Sequence, residues 1–149
     1  MMTTRKRQDP VLIFLQIVSL QCLWYAAMGF VVVLTHVVSG LSLSLDQFFS
    51  LERALTLSTE RGSQGLVVLF AATVMGSFLL RSVVEKSRKC LDFSVTCFFI
   101  HMAISVYYSK SVVPPAAWCL CHGPAMVIMV VLGEYLCSRN ELRDIPLVN

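Results

Sequence analysis

Uncharged apolar residues fall along this chain in four long blocks, separated by segments that hold nearly all of its charge. The first block, residues 11–34, is 24 residues without a charge. That is long enough to cross a hydrocarbon core of about 30 Å as a tilted helix. The second runs over residues 66–80 and reaches 84 if Arg81 snorkels to the headgroups. The third covers residues 93–111 with Lys110 snorkelling, and the fourth residues 113–136. Pro10 suits the first turn of the first helix, and Pro114 and Pro115 that of the fourth. Pro124 lies inside the fourth and is expected to kink it. The pattern predicts an all-α membrane protein, a bundle of four transmembrane helices forming one polytopic domain over residues 1–149.

Residues 35–65 form the only long connection. Ser44 followed by Gln47 has the spacing of a capping box, and Leu45, Phe48, Phe49, Glu52 and Leu55 give an amphipathic helical pattern. Asp46, Glu52 and Arg53 argue against a fifth span. The expectation is a short amphipathic helix, lying on the membrane surface or folded back on the bundle.

Composition agrees with this picture. Of the 149 residues, 56% are hydrophobic and 14% charged, against roughly 45–50% and about 25% in an average soluble domain. That excludes a disordered chain and leaves little room for a soluble enzyme domain. Arg5, Lys6 and Arg7 precede the first span; Arg81, Lys86, Arg88 and Lys89 lie between the second and third; Arg139 and Arg143 follow the fourth. With four spans these nine of the 12 basic residues share one side, leaving Arg53, Arg61 and Lys110 on the other. The positive-inside rule then places both termini and the middle loop in the cytoplasm, and the long first loop in the lumen. Tyr107, Tyr108 and Trp118 fall where a lumenal aromatic belt would sit. A basic head before an apolar run also fits a signal peptide, with Ala26-Ala27 as the small-residue site. The length of the run and the lack of a polar segment before that site favour a retained anchor.

Chemistry-bearing residues are few. Cys22, Cys97, Cys119 and Cys121 lie within apolar runs and read as small buried hydrophobes. Cys90 and Cys137 sit at run edges beside basic residues, where palmitoylation is one reading and packing the commoner one. Glu134 lies within about a turn of the cytoplasmic interface, where a carboxylate paired with Arg81 or Arg139 is the plain reading and a proton or cation site the sharper one. His101 is mid-span, placed to hydrogen-bond a neighbouring helix; His36 is at a helix end. Cys119 and Cys121 point to opposite helix faces, so the Cys119, Cys121, His122 run is no chelate by itself. Gln16 and Gln21 suit interhelical hydrogen bonds, and Trp24 and Tyr25 read as packing residues. No nucleophile elbow, zincin or Walker motif is present. Basic residues that flank spans give no nucleic-acid surface, and no cofactor or metal is implied.

Two segments carry a resemblance. Lys89-Cys90-Leu91-Asp92-Phe93-Ser94-Val95-Thr96, followed by Phe98, Phe99 and His101, is one. Gly133-Glu134-Tyr135-Leu136-Cys137-Ser138-Arg139-Asn140-Glu141-Leu142-Arg143-Asp144-Ile145-Pro146-Leu147 is the other. Asp9-Pro10, Gln16-Ile17-Val18 with Gln21, and Ser44-Leu45-Asp46-Gln47 fit in collinear order. Together they resemble the Sys family of Golgi-localised integral membrane proteins over nearly the whole chain. The second span is short and rich in Thr73, Gly76 and Ser77.

The resemblance implies a four-span protein of the trans-Golgi network with cytoplasmic termini, the topology that the charges give without it. It also implies a receptor that recruits an ARF-related small GTPase lacking a myristoyl anchor, and through it a second ARF-like GTPase and golgin tethers. The outcome would be endosome-to-Golgi and intra-Golgi transport, with no enzymatic activity. On the position of the motifs, the expected docking residues are Arg88, Lys89, Asp92, Glu134, Arg139, Glu141, Leu142, Ile145 and Leu147. Asp92, Glu134 and Glu141 would meet basic GTPase residues, and Leu142, Ile145 and Leu147 apolar ones. The alternative is a small multi-pass transporter, coupled to protons or cations through Glu134. It calls for a deep acid and an inverted repeat, neither of which is visible. An intramembrane enzyme would need His101 and Glu134 clustered.

Overall fold

The computed structural model describes residues 10–40, 43–50, 60–84, 86–111 and 113–143, apart from the side chains of residues 47, 48, 60 and 61. Five helices follow in order: α1 (Pro10–Ser39), α2 (Asp46–Phe49), α3 (Glu60–Val83), α4 (Ser87–Ser109) and α5 (Ala116–Arg143). All but α2 are long and apolar enough to cross a membrane, and no strand occurs among the described residues. The helices outrun their apolar blocks. α1 has 30 residues and α5 has 28, about 45 and 42 Å at 1.5 Å per residue, longer than a hydrocarbon core of about 30 Å. α5 continues through Pro124 to Arg143.

Around the bundle the order is α1, α3, α5, α4. α3 packs along both α1 and α5, α4 packs on α5 and touches α1, and α3 and α4 are nearly diagonal despite the short turn between them. The reason lies in α3, whose buried face includes Ala72, Thr73, Gly76 and Ser77. Small residues let helix backbones approach where lipid supplies no hydrophobic drive. A methyl group on Gly76 would stand 3.0 Å from both Met129 Cε and Trp24 Cδ1. On α5, one on Gly133 would stand 2.7 Å from Leu80 Cδ1. The core is built on these contacts: Leu20, Trp24, Val32, Leu80 and Met129 are almost completely enclosed. Thr73 and Ser77 bond the carbonyls of Leu69 and Thr73 in their own helix, at 2.7 and 3.1 Å, so their hydroxyls cost little in a dry interior.

α2 is four residues long and folds back on the bundle. The Phe49 ring lies 5.7 Å from Tyr25 and 5.7 Å from Tyr108, and Tyr108 Oη donates to Asp46 Oδ1 at 2.9 Å. The capping box does not form as its spacing suggests. Leu45 is the N-cap residue, and Ser44 Oγ accepts the Asp46 N–H two residues on, at 3.2 Å. Glu52, Arg53 and Leu55 of the amphipathic pattern lie outside the described residues.

Candidate functional site

Four contacts gather the ends of the long helices at one end of the bundle. Gln16 Nε2 donates from the start of α1 to the carbonyl of Val83 at the end of α3, at 2.9 Å. Arg81 Nη2 donates to Asn140 Oδ1 at 3.3 Å. Cys90 and Cys137 meet sulfur to sulfur at 3.3 Å, both fully buried. Glu141 reaches from the last turn of α5 to α4, taking the Ser87 N–H at 3.2 Å and the Ser87 Oγ–H at 3.0 Å. This end therefore carries Arg81, Lys86, Arg88, Lys89, Arg139 and Arg143; Arg5, Lys6 and Arg7 lie outside the described residues.

Each contact has a local cause. The first turn of α4 contains no acid, and its N-cap, Lys86, makes no side-chain cap. Its free N–H groups and partial positive charge attract a carboxylate, which α5 supplies as Glu141. At the end of α5 that carboxylate faces its own helix's negative pole, and the α4 terminus offsets this. Sequence reasoning placed Glu141 among docking residues and missed the cap. The usable signal was negative: α4 starts with no Ser, Thr, Asp or Asn before Ser87 and no acid in its first turn.

The remaining predicted docking residues gather on the facing ends of α4 and α5. Arg88, Asp92, Arg139 and Leu142 are exposed, Lys89 and Glu134 half-buried. Ile145 and Leu147 lie outside the described residues. Glu134 forms no ion pair with Arg81 or Arg139. Arg81 is bonded to Asn140, and the Arg139 guanidinium sits 5.8 Å from the centre of the Tyr135 ring. Leu91, Tyr135 and Leu142 add exposed apolar surface at this end.

Cys90 and Cys137 are sealed against each other, the commoner of the two readings, and Cys97 is buried as expected; Cys22 and Cys119 instead lie exposed on the outside of the bundle, and Cys121 is half-buried. The outside of a membrane bundle is as apolar as its inside, so an apolar neighbourhood in sequence does not mean burial.

At the opposite end the aromatic residues close on two histidines. Tyr25 Oη and His101 Nδ1 lie 3.2 Å apart, the interhelical bond that the sequence suggested. Trp118 is buried rather than in a belt: its ring stacks on His122 at 3.7 Å and 13°, and the His122 Nδ1–H donates to the Trp118 carbonyl at 3.0 Å. Of the expected belt residues Tyr107 and Tyr108 are exposed. Gln16 makes its interhelical bond, while both amide atoms of Gln21 are buried without a partner. Cys119 faces outward, and no group of three metal-binding side chains forms among the described residues. His101 belongs to this end and Glu134 to the other: Gly133 abuts Cys90, and His101 is 11 residues further along α4, about 16 Å at 1.5 Å per residue.

Comparison with known proteins gives a consistent result. Residues 3–147 match the family model SYS1, described as integral membrane protein S linking to the trans Golgi network. A SYS1 homolog of Dictyostelium discoideum is 39% identical over 139 residues, 93% of this chain and 59% of the relative. One of Nematostella vectensis is 32% identical over 139 residues, 92% of this chain and 86% of the relative. The chain thus spans under two thirds of the first relative's length and most of the second's. No solved structure matches the chain at a significant level.

Proposed function

The chain belongs to the SYS1 family of integral membrane proteins linked to the trans-Golgi network, and from that premise we propose that it is a membrane receptor for an ARF-related small GTPase. The family is one of membrane traffic and not of enzymes. A multi-pass protein of the trans-Golgi network with its basic end toward the cytoplasm presents that end to soluble trafficking proteins.

One observation supports the reading most. Two segments separated by 36 residues of sequence, Lys89 to Thr96 and Gly133 onward, are brought together through Cys90–Cys137 and, one turn earlier on α4, Ser87–Glu141. They make one surface of mixed charge with exposed Leu91 and Leu142. A small GTPase held to the bilayer by a single weak amphipathic helix is only marginally anchored, and a second attachment converts that into stable residence. The surface offers Arg88, Lys89, Asp92 and Arg139 for charge complementarity and Leu142 for apolar contact. Such polar rims set partner choice and encounter rate more than raw affinity. Glu141 contributes through the cap that holds the two segments together. Recruitment of further tethers and transport from endosomes would follow from the GTPase.

The test is co-purification from Golgi-enriched membranes of cells holding the GTPase locked in its GTP or its GDP form. The GTP form should be recovered with the protein, and Asp92→Arg or Leu142→Asp should lower the yield while the receptor's own abundance is unchanged. Equal recovery of both forms, or of neither, refutes the reading.

A further inference from the structure

An open pocket of about 480 Å³ lies at the basic end between α3 and α5, lined by Arg81, Leu136, Arg139, Asn140, Leu142 and Arg143. We propose that it binds the headgroup of a membrane lipid bearing a phosphate monoester, held by Arg81, Arg139 and Arg143. The inference rests on observations separate from the GTPase reading, although the pocket shares Arg139 and Leu142 with that surface; Arg81 and Arg143 belong to the pocket alone.

Three observations carry it. First, three arginines line the pocket, and no acidic residue lines it among the described residues. The one nearby acid whose position explains itself, Glu141, is turned to Ser87. Second, the arginines have no ion-pair partner among the described residues: Arg81 donates to the neutral Asn140 amide, and Arg139 rests on Tyr135. Helix dipoles favour a basic residue at a helix C-terminus, but they do not explain three of them, from two helices, lining one cavity. Third, the pocket is at the level where apolar helix gives way to polar residues. Leu136 and Leu142 border it, so a bound headgroup has apolar wall for the start of its chains.

The chemistry selects the ligand. The guanidinium fork matches a phosphate oxygen pair, and a planar cation is less strongly hydrated than an ammonium. Three such forks exceed the single charge of a phosphodiester and match a headgroup carrying a monoester as well. Basic pockets between transmembrane helices on the cytoplasmic side are suited to such headgroups.

The experiment uses the full chain in phosphatidylcholine nanodiscs doped with a monophosphorylated inositol phospholipid or with phosphatidylserine, bound lipid being counted by native mass spectrometry. The inositol lipid should be retained in preference to phosphatidylserine. Arg81→Gln, Arg139→Gln and Arg143→Gln should each weaken retention about tenfold, the loss of one charge-assisted contact, while Lys86→Gln, an exposed charge of the same end outside the pocket, leaves it unchanged. Arg143 is exposed in the last helical turn, so its variant carries the test if Arg81→Gln fails to fold. Equal retention of phosphatidylserine, or retention indifferent to the three arginines, overturns the proposal. Displacement of the lipid by soluble inositol phosphate at equal concentration would make this a site for free phosphate and overturn the lipid assignment.

Discussion

Replacing Gly133 by alanine sets two sizeable effects against each other. In a helix interior alanine is favoured over glycine by about 1 kcal/mol. The added methyl would stand 2.7 Å from Leu80 Cδ1, with Leu80 Cβ at 3.6 Å and Cys90 Cβ at 3.8 Å. Ordinary carbon contacts are about 3.5–4.0 Å, so Leu80 must turn or α3 must move off α5. Leu80 has no exposed surface, and turning it disturbs an enclosed core. Overpacking of this kind costs about 1–3 kcal/mol. Gly133→Ala is therefore destabilising by about 0–2 kcal/mol once the helix gain is subtracted.

The small net value makes the single mutant a weak test and a double-mutant cycle a strong one. Leu80→Ala alone should cost about 2–5 kcal/mol as a core truncation. In the Gly133→Ala background it also removes the clash, so its cost falls by about 1 kcal/mol or more. Equilibrium unfolding in mixed micelles, read by helix circular dichroism, measures all four corners. Additivity of the two changes within about 0.5 kcal/mol would show that residues 80 and 133 do not touch, and would refute the packing order α1, α3, α5, α4.

Three further outcomes follow from the same geometry. Glu141→Ala should lower stability by about 1 kcal/mol, the usual worth of a lost N-cap, and Ser87→Ala in that background should add little; additive losses in the same unfolding assay would mean the cap does not exist. Acyl-exchange mass spectrometry should find Cys90 and Cys137 free of acyl chains, because each is sealed against the other; an acyl group on either would mean that this end stands open. Lys110 ends α4 with φ 50°, a conformation costing about 1–2 kcal/mol for a residue with a Cβ; Lys110→Gly should raise the unfolding midpoint, and a lowered midpoint would contradict the cap.

Much of the architecture was legible because hydropathy and charge act over the whole length of a span. Four apolar blocks gave four long helices, and the basic residues of the described segments, Lys110 and Arg61 aside, came to one end. Faces were not legible on the same terms. In water an apolar stripe marks the core side of a helix; in a bilayer both sides are apolar, so Cys22, Cys119 and Trp118 were assigned to the wrong surroundings. What does mark the interface is size. Thr73, Gly76 and Ser77, in the sequence only a local enrichment of a short second span, form the seam on which α1 and α5 close. The Glu141 cap was hidden for another reason: it joins residues 54 apart in the chain, and no local pattern announces a donor that must wait for a remote acceptor.

The two hydroxyls on that seam bear on how the protein enters its membrane. α3 leaves the ribosome well before α5, and chains emerge N-terminal part first. For that interval the face destined for α5 looks onto lipid, which offers no hydrogen bonds. Thr73 and Ser77 already bond carbonyls one turn back in the same helix, and Ser77 adds the Met129 carbonyl, at 3.4 Å, only once α5 is in place. A half-made protein can thus hold α1 and α3 side by side in the bilayer, with the α5 seat open but chemically quiet, until the last helix arrives and Met129 and Gly133 close it.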